Sequence, residues 1–243
     1  GEARTLDIQT DSSLDAIADD CTGVGIGYDF RIPFGAGTTN SSSILDCIDD
    51  AIPNSDFIVI KHAATTPTAE GSVAKDQTYI VSNIAKAILF DGKDTKPSTN
   101  TGGDVPNGKF WEYTATIYYV RNDGSGVPSL QRRRLIGNTW GDPEEVSLGV
   151  ERLRVLVGID NDNDGSTDSF VAPDDVTDWR KTVAARLFLL IRTEEQDHFY
   201  TDSRSYVLGD TLINAPGDHF HRVLFNTTVA LRNRHLSIAG GLE

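Results

Sequence analysis

Apolar and polar residues alternate along much of the chain, and this two-residue period is typical of β-strands with one buried face. The clearest case covers residues 113–119 (YTATIYY), where every second residue can face a core. Residues 122–126 (NDGSG) have the composition of a tight turn, and residues 130–136 (LQRRRLI) follow as a second strand that carries three arginines. The pattern predicts a β-hairpin.

Other segments have the same strand character. Residues 179–192 (WRKTVAARLFLLIR) could form a helix or a strand. The basic residues Arg180, Lys181 and Arg186 interrupt any apolar helical stripe, so a long strand with one buried face is the preferred interpretation. Alternation and β-branched residues predict further strands at Asp56–His62, Gln77–Val81, Ala85–Phe90, Val150–Ile159 and Arg222–Arg232.

The remaining segments are less regular. Residues 1–56 are acidic and glycine-rich and read as irregular, apart from one short helix that Ser41–Ser43 would cap and Pro53 would end. Residues 91–108 form a polar segment without a period, which predicts a mobile loop. The fold class predicted from these patterns is α+β, a mostly antiparallel β-sheet with one or two short helices.

Length and charge narrow the possible functions. The 243 residues suffice for a sizeable core, and we expect one globular domain over residues 1–239. Residues 240–243 (GGLE) resemble a cloning remnant. The net charge is −14, which opposes binding to nucleic-acid phosphates. The most apolar run, residues 183–191, is shorter than the ~20 residues of a membrane-spanning helix and is interrupted by Arg186.

The two cysteines leave two interpretations open. Cys21 and Cys47 lie in no metal-ligand pattern, so they are either buried free thiols or a disulfide. Their surroundings are rich in glycine, serine and aspartate, as in a loop, and this favours the disulfide. A disulfide would place the protein in an oxidising compartment, periplasmic or extracellular.

The sharpest chemical signal is the segment 160–168 (DNDNDGSTD). Oxygen-bearing side chains recur at every second position, and a glycine permits a sharp turn, as in calcium loops of the EF-hand type. The bidentate glutamate of an EF-hand is missing, because Val171 occupies that place. The alternative is a solvated turn. The predicted ligands of a structural Ca²⁺ are Asp160, Asp162, Asp164, Ser166 and Asp168.

Signals for other chemistry are weaker. Asp197-His198, His219 and His221 provide fewer well-spaced ligands than zinc requires, so the end of a polar hairpin is the preferred interpretation. Arg132, Arg133 and Arg134 form a short basic run, which we expect to pair with carboxylates of the protein itself rather than with nucleic acid.

The order of segments resembles the minor pilins of the PilW family. The resemblance rests on residues 148–160 (LGVERLRVLVGID), the aspartate loop, Trp179 and residues 183–192 (VAARLFLLIR). Residues 220–233 (FHRVLFNTTVALRN) are similar to the C-terminal signature of the same family. The tyrosine-rich hairpin also fits, so the resemblance covers roughly residues 110–235.

This resemblance implies a pilin-like fold and a part in type IV pilus biogenesis. It implies a hydrophobic N-terminal spine helix, missing from this sequence, that anchors the protein in the bacterial inner membrane, facing the periplasm. The implied partners are other minor pilins, the major pilin and an adhesin near the tip of the extracellular pilus. The related J-type pseudopilins of type II secretion are similar in architecture and bind calcium, which supports the calcium interpretation by analogy.

Three functions are therefore compared. The first, a non-enzymatic minor pilin that initiates pilus assembly, acts through its surfaces. The second is a calcium-dependent adhesive or carbohydrate-binding module of the β-sandwich type. The third is a secreted hydrolase that uses dispersed aspartates and histidines. The sequence favours the first, because the ordered set of segments resembles pilins and no motif of a nucleophile and a base is present.

Overall fold

The computed structural model describes residues 7–10, 33–45, 48–122, 124, 126–137 and 139–231, which contain fifteen strands and three short 3-10 turns. The strands are β1 Asp7–Thr10, β2 Phe34–Thr38, β3 Asp56–Ala63, β4 Thr78–Ser82, β5 Lys86–Asp91, β6 Lys109–Arg121, β7 Ser129–Ile136, β8 Thr139–Trp140, β9 Glu144–Leu148, β10 Val150–Ile159, β11 Ser169–Val171, β12 Thr182–Arg192, β13 Tyr206–Leu208, β14 Thr211–Ile213 and β15 Arg222–Ala230. The 3-10 turns are Glu70–Ser72, Pro173–Asp175 and Trp179–Lys181. Over this part of the chain, none of the helices has the length and apolar character to cross a bilayer.

A nine-stranded sheet is built around the long strand β6. β3 pairs with β6 along one edge, while β4 and β7 pair with successive halves of its other edge. β5 and β1 extend the sheet beyond β4, and β1 runs parallel to β5. β2 extends it beyond β3, and β8 and β9 pair with β7.

A second sheet is antiparallel and has the strand order β11-β10-β12-β15. β10 has ten residues and β12 has eleven, and the two strands pair antiparallel along most of their length. A separate hairpin of β13 and β14 covers one face of this second sheet, where Tyr206 and Leu208 pack with Leu190.

Two apolar cores lie on opposite faces of β6, because successive side chains of a strand point to opposite sides. Ala115, Ile117 and Tyr119 belong to a core within the larger sheet's half of the molecule. Val120 instead belongs to the core between the two sheets, together with Val155 of β10 and others. The second core therefore holds the two sheets together by burying apolar surface.

An ion pair between a buried aspartate and a partly buried arginine also joins the two sheets. Asp56, at the start of β3, accepts hydrogen bonds from the backbone N–H of Val155 (2.7 Å) and from the guanidinium of Arg154 (3.1 Å). Burial raises the pKa of the Asp56 carboxyl, and these hydrogen bonds and the Arg154 charge oppose that rise. The Arg154 guanidinium also binds Asp210 at 2.7 Å, so it links both sheets to the turn between β13 and β14.

Most sequence-based strand predictions are confirmed. The hairpin corresponds to β6 and β7, and the strands predicted near residues 56, 77, 85, 150 and 222 correspond to β3, β4, β5, β10 and β15. The ambiguous segment 179–192 begins with a 3-10 turn and continues as the long strand β12. The mostly antiparallel sheet is thus confirmed.

The α+β class is not confirmed, because the described residues contain 3-10 turns but no α-helix. At the predicted helix, Ser41 accepts a hydrogen bond from the backbone N–H of Ser43, which forms a local turn instead of a cap. Ile44 then pairs with Ile48 as an antiparallel bridge, and Leu45 adopts a positive φ of 54°. The predicted Cys21–Cys47 disulfide lies outside the described residues.

The region thought to be irregular contains two strands, β1 and β2. β2 (FGAGT) has two glycines and no β-branched residue before Thr38, so its sequence lacks the usual strand signal. It forms because it pairs with β3 and because the ring of Phe57 packs over Gly37, where a Cβ atom would lie only 2.7 Å from the ring. Tertiary contacts therefore create this strand.

Residues 92–108 contain no strand or helix, in agreement with the loop prediction. The loop is nevertheless organised by its own hydrogen bonds, from Val105 N–H to the Ser98 carbonyl (3.0 Å) and from Asn107 N–H to the Thr99 carbonyl (2.8 Å). Val105 is fully buried beside Phe90 and Phe110. Mobility of this loop stays a prediction.

Candidate functional site

The aspartate loop, residues 160–168, connects β10 to β11 at one end of the second sheet. The backbone N–H of Asp168 donates to the carbonyl of Ile159 (2.9 Å), and the N–H of Asn161 donates to the Asp168 carboxylate (2.6 Å). Asn163 and Gly165 adopt positive φ angles of 63° and 88°, which asparagine and glycine tolerate best. The loop therefore closes on itself through its own acidic side chains.

Asp160 is the buried member of the loop, with 2% of its surface exposed. One carboxylate oxygen accepts a hydrogen bond from Gly165 N–H at 3.0 Å, and the other is buried without a hydrogen-bond partner. Burial raises the pKa of this carboxyl, but backbone N–H groups of the loop outweigh that effect and hold the pKa below its usual value. The group is therefore ionised at neutral pH.

The loop brings three carboxylates together. Ligand oxygens of Asp160, Asp162 and Asp168 all lie within 4.8 Å of one another. Asp164 belongs to the same predicted ligand set, but it is exposed and its carboxylate accepts the backbone N–H of Ser166 at 2.7 Å. The structure thus assembles three of the five predicted ligands and directs the Asp164 carboxylate to a turn.

Contacts with the segment before β12 fix the loop on the sheet. The N–H of Asp160 donates to the carbonyl of Lys181 (2.9 Å), and the Lys181 ammonium donates to the carbonyl of Asn161 (3.3 Å). Downstream of the loop, the ring of Phe170 in β11 lies under the Arg186 guanidinium at 4.1 Å. The aspartate loop, β11 and the start of β12 therefore form one connected unit.

A second acidic cluster surrounds Arg222, and no sequence pattern predicted it. The buried Arg222 guanidinium donates to Glu151 (2.7 and 2.9 Å), to Asp218 (2.6 and 2.7 Å) and to Asp202 (3.2 Å). These residues come from separate segments, so only the fold brings them together. We call this set the Arg222 cluster.

Asp202 is fully buried in the Arg222 cluster. Burial raises the pKa of its carboxyl, but hydrogen bonds from the hydroxyls of Tyr206 (2.7 Å) and Tyr200 (3.0 Å) and from Arg204 outweigh burial and hold the pKa well below its usual range. In return, burial and the Asp202 charge raise the pKa of Tyr206 to about 12.

The structure does bring the histidines together, just before β15. The Nε2 atom of His221 lies 3.1 Å from the Asp197 carboxylate, and its ring stacks on Tyr200 at 4.0 Å. The Nδ1–H of His219 donates to the carbonyl of Tyr200 (2.6 Å), and the His219 ring lies 6.0 Å from that of His198. The imidazole rings therefore pack against neighbouring residues and form hydrogen bonds with them, as expected for a polar turn.

A surface depression of about 350 Å³ lies elsewhere, beside the start of β6. Its polar lining includes Thr68, Glu70, Thr99 and Lys109.

The basic run is used inside the protein, as predicted. Arg132 and Arg134 lie on the same face of β7, and both guanidinium groups bind Glu144 of β9, at 2.9 and 2.7 Å. Arg133 points the other way and donates to the carbonyl of Gly141 at 2.8 Å.

An exposed apolar strip lies on one face of β15, the last strand in the order of the second sheet. Val223, Phe225 and Val229 lie on one face and are 67%, 51% and 44% exposed. Their neighbours across β12, including Ile191 and Leu189, pack against the core between the sheets. The strip therefore continues the buried face of the sheet beyond the area that the larger sheet covers.

The comparisons with known proteins identify the class. Residues 117–233 match the family model of the type IV pilus-assembly protein W, PilW. The matched range contains β7 to β15, the aspartate loop and the Arg222 cluster, and it supports the assignment of this chain to the PilW family. No curated protein and no solved structure matches the chain significantly.

The family acts in type IV pilus assembly, so the match links this chain to that process, to the cell envelope and to other pilus components. This agrees with the family resemblance noted in the segment order.

Proposed function

We propose that this protein is a non-enzymatic minor pilin that takes part in initiating type IV pilus assembly, in a complex with other minor pilins and an adhesin near the pilus tip. The observation that carries the proposal is the PilW family match over residues 117–233. A subunit of this kind acts by binding its neighbours, so its function depends on exposed surfaces rather than on a cleft.

The apolar strip on β15 supports this proposal. Exposed apolar patches next to polar surroundings mark interaction sites on soluble domains. Among the described residues, the outer edge of β15 pairs with no further strand, so backbone groups are also available there. The proposed occupant is an apolar surface of a neighbouring pilus subunit, which would cover Val223, Phe225 and Val229.

Co-purification with the other minor pilins of the same organism tests both the function and the surface. Phe225→Ser should reduce the captured amount at least tenfold, because half of that ring is exposed and would be buried in a complex. Asn226→Ser is the matched control, since Asn226 is the next, polar residue of the same strand. Equal capture by both variants would reject the surface, and failure of the wild-type protein to capture any minor pilin would reject the function.

The proposed location is the bacterial inner membrane, facing the periplasm, and then the extracellular pilus. A hydrophobic N-terminal helix encoded upstream of this sequence would provide the anchor, and the major pilin would be a further partner. The coding sequence tests this directly. A short leader that ends in glycine and precedes an apolar helix supports the location, and a cleavable secretion signal without such a helix contradicts it.

A further inference from the structure

We propose that the aspartate loop binds one Ca²⁺, with carboxylate oxygens of Asp160, Asp162 and Asp168 as its protein ligands. The proposal goes beyond the role in pilus assembly and does not depend on it. It rests on the geometry of the loop rather than on the number of its acidic residues.

The first observation is the buried oxygen of Asp160 without a partner. Asp160 is 2% exposed, and one of its carboxylate oxygens lacks a hydrogen-bond donor. A buried ionised oxygen of this kind is unfavourable unless a donor or a cation compensates for its lost hydration. A carboxylate oxygen of Asp160 lies within 4.8 Å of carboxylate oxygens of both Asp162 and Asp168, so a cation at the centre of this group would bind all three side chains.

The second observation is the lack of a compensating charge from the protein. Within the described ranges, no lysine or arginine forms an ion pair with Asp160, Asp162 or Asp168. The Lys181 ammonium is near the loop, but it donates to the carbonyl of Asn161. Three like charges within 4.8 Å repel one another, and a divalent cation would convert this repulsion into attraction.

The ligand type favours calcium. Oxygens bound to one Ca²⁺ at about 2.4 Å lie within about 4.8 Å of one another, and the three carboxylate oxygens satisfy that limit. Imidazole or thiolate ligands, which zinc and copper prefer, are missing from residues 160–168. Backbone carbonyls and water would complete the six to eight ligands that Ca²⁺ takes, whereas Mg²⁺ requires a stricter octahedron.

The expected affinity is modest. Val171 stands where an EF-hand loop has its bidentate glutamate, so the site has fewer charged oxygens than a high-affinity loop. A dissociation constant of about 0.1–1 mM, as in extracellular calcium modules, is therefore expected. Bound calcium would hold the β10–β11 connection closed and keep Asp160 in its contact with Lys181 at the start of β12.

Isothermal titration of the chelator-treated protein with CaCl₂ tests the site. The wild-type protein should bind one Ca²⁺ per chain, and MgCl₂ at the same concentration should bind at least tenfold more weakly. Asp162→Asn and Asp168→Asn should each weaken calcium binding at least tenfold. Both side chains are exposed, so these variants should fold normally, which circular dichroism would confirm.

Asp142→Asn is the matched control, because Asp142 is an exposed aspartate outside the loop, and it should bind calcium as the wild type does. Three results would overturn the proposal: no calcium binding by the folded wild-type protein up to 10 mM, unchanged binding by both loop variants, or an equal loss in Asp142→Asn. Equal affinity for Mg²⁺ would overturn the assignment to calcium.

Discussion

Two acidic clusters lie in the second half of the molecule, and they differ in how their charge is balanced. In the Arg222 cluster, the carboxylates of Glu151, Asp202 and Asp218 all receive hydrogen bonds from one buried guanidinium. In the aspartate loop, three carboxylates gather within 4.8 Å, and one buried oxygen has no partner. The first cluster contains its own cation, and the second has the geometry of a site that takes its cation from solution.

The difference shows that the number of acidic residues alone does not indicate a metal site. Buried carboxylates are stable when arginine or hydroxyl groups donate to them, and such clusters have a structural role. Carboxylates that converge and leave a buried oxygen without a donor are the ones that an ion can stabilise. The effect of substitutions in the aspartate loop should therefore depend on calcium, and the effect of substitutions in the Arg222 cluster should not.

The largest effect is expected for Arg222→Met. The substitution keeps much of the side-chain volume but leaves Asp202 and its neighbours without their shared cation, so unfolding free energy should fall by about 3–5 kcal/mol with or without calcium. Urea unfolding followed by circular dichroism measures this. Arg180→Met is the control, because the Arg180–Asp178 pair is on the surface and its arginine side chain is 77% exposed. Similar losses in both variants would show that the buried cluster is not the cause.

A smaller, pH-dependent effect is expected for Asp202→Asn, about 1–3 kcal/mol at neutral pH. Hydrogen bonds hold the pKa of Asp202 in the folded protein below its unfolded value, near 3.9. Its contribution to stability is therefore complete above about pH 5 and is lost as the pH falls through the folded pKa. The stability difference between wild type and variant should narrow below pH 4 in urea titrations. A constant difference from pH 7 to pH 2.5 would contradict this.

Asp162→Ala should have a calcium-dependent effect. If calcium is tenfold above its dissociation constant, the wild-type melting temperature should rise by about 3–6 °C, and the variant should lose that rise. In excess chelator the two proteins should melt at the same temperature within about 1 °C, because neither of them then has calcium bound. Differential scanning calorimetry in both buffers measures this, and equal losses in the two would contradict a role in calcium binding.

The smallest effect is expected at the exposed charges of β7 and β9. Glu144→Gln removes the partner of both Arg132 and Arg134, yet the melting temperature should change by less than about 2 °C, because solvent and salt screen surface ion pairs. A thermal scan at low and high salt measures this. A loss as large as that of Asp202→Asn would mean that surface charge pairs hold the sheet together as strongly as buried ones do.

The same comparison explains what the sequence could and could not reveal. All candidate ligands of the aspartate loop lie within nine consecutive residues, so the spacing of its aspartates can be recognised from the sequence alone. The Arg222 cluster combines residues 151, 202, 218 and 222, and nothing in their local sequence relates them. The sequence also could not predict the conformation of Asp164. An aspartate at that position can either bind a metal ion or accept a hydrogen bond within a turn, and the residue type is the same in both cases.

Strands were predicted correctly where the strand's own sequence alternates, and they were missed where contacts with other segments create the strand. β6, β10 and β12 are long, and their own alternation of apolar residues identifies them. β2 exists because β3 pairs with it and Phe57 packs over Gly37, and neither contact has a local sequence signal. The short helix after Ser43 is missing because Ile44 pairs with Ile48 instead, which no capping rule anticipates.

The position of β6 has a consequence for how this protein can be divided. The family match begins at residue 117, in the middle of β6, and the core between the sheets contains Phe34, Ile52 and Ile58 from before that point. A recombinant fragment trimmed to the matched range would start within a strand and leave Val120 and Val155 without these neighbours. The border of the recognisable sequence is therefore not a border of the folding unit, and shortened versions for crystallisation should retain β2 and β3.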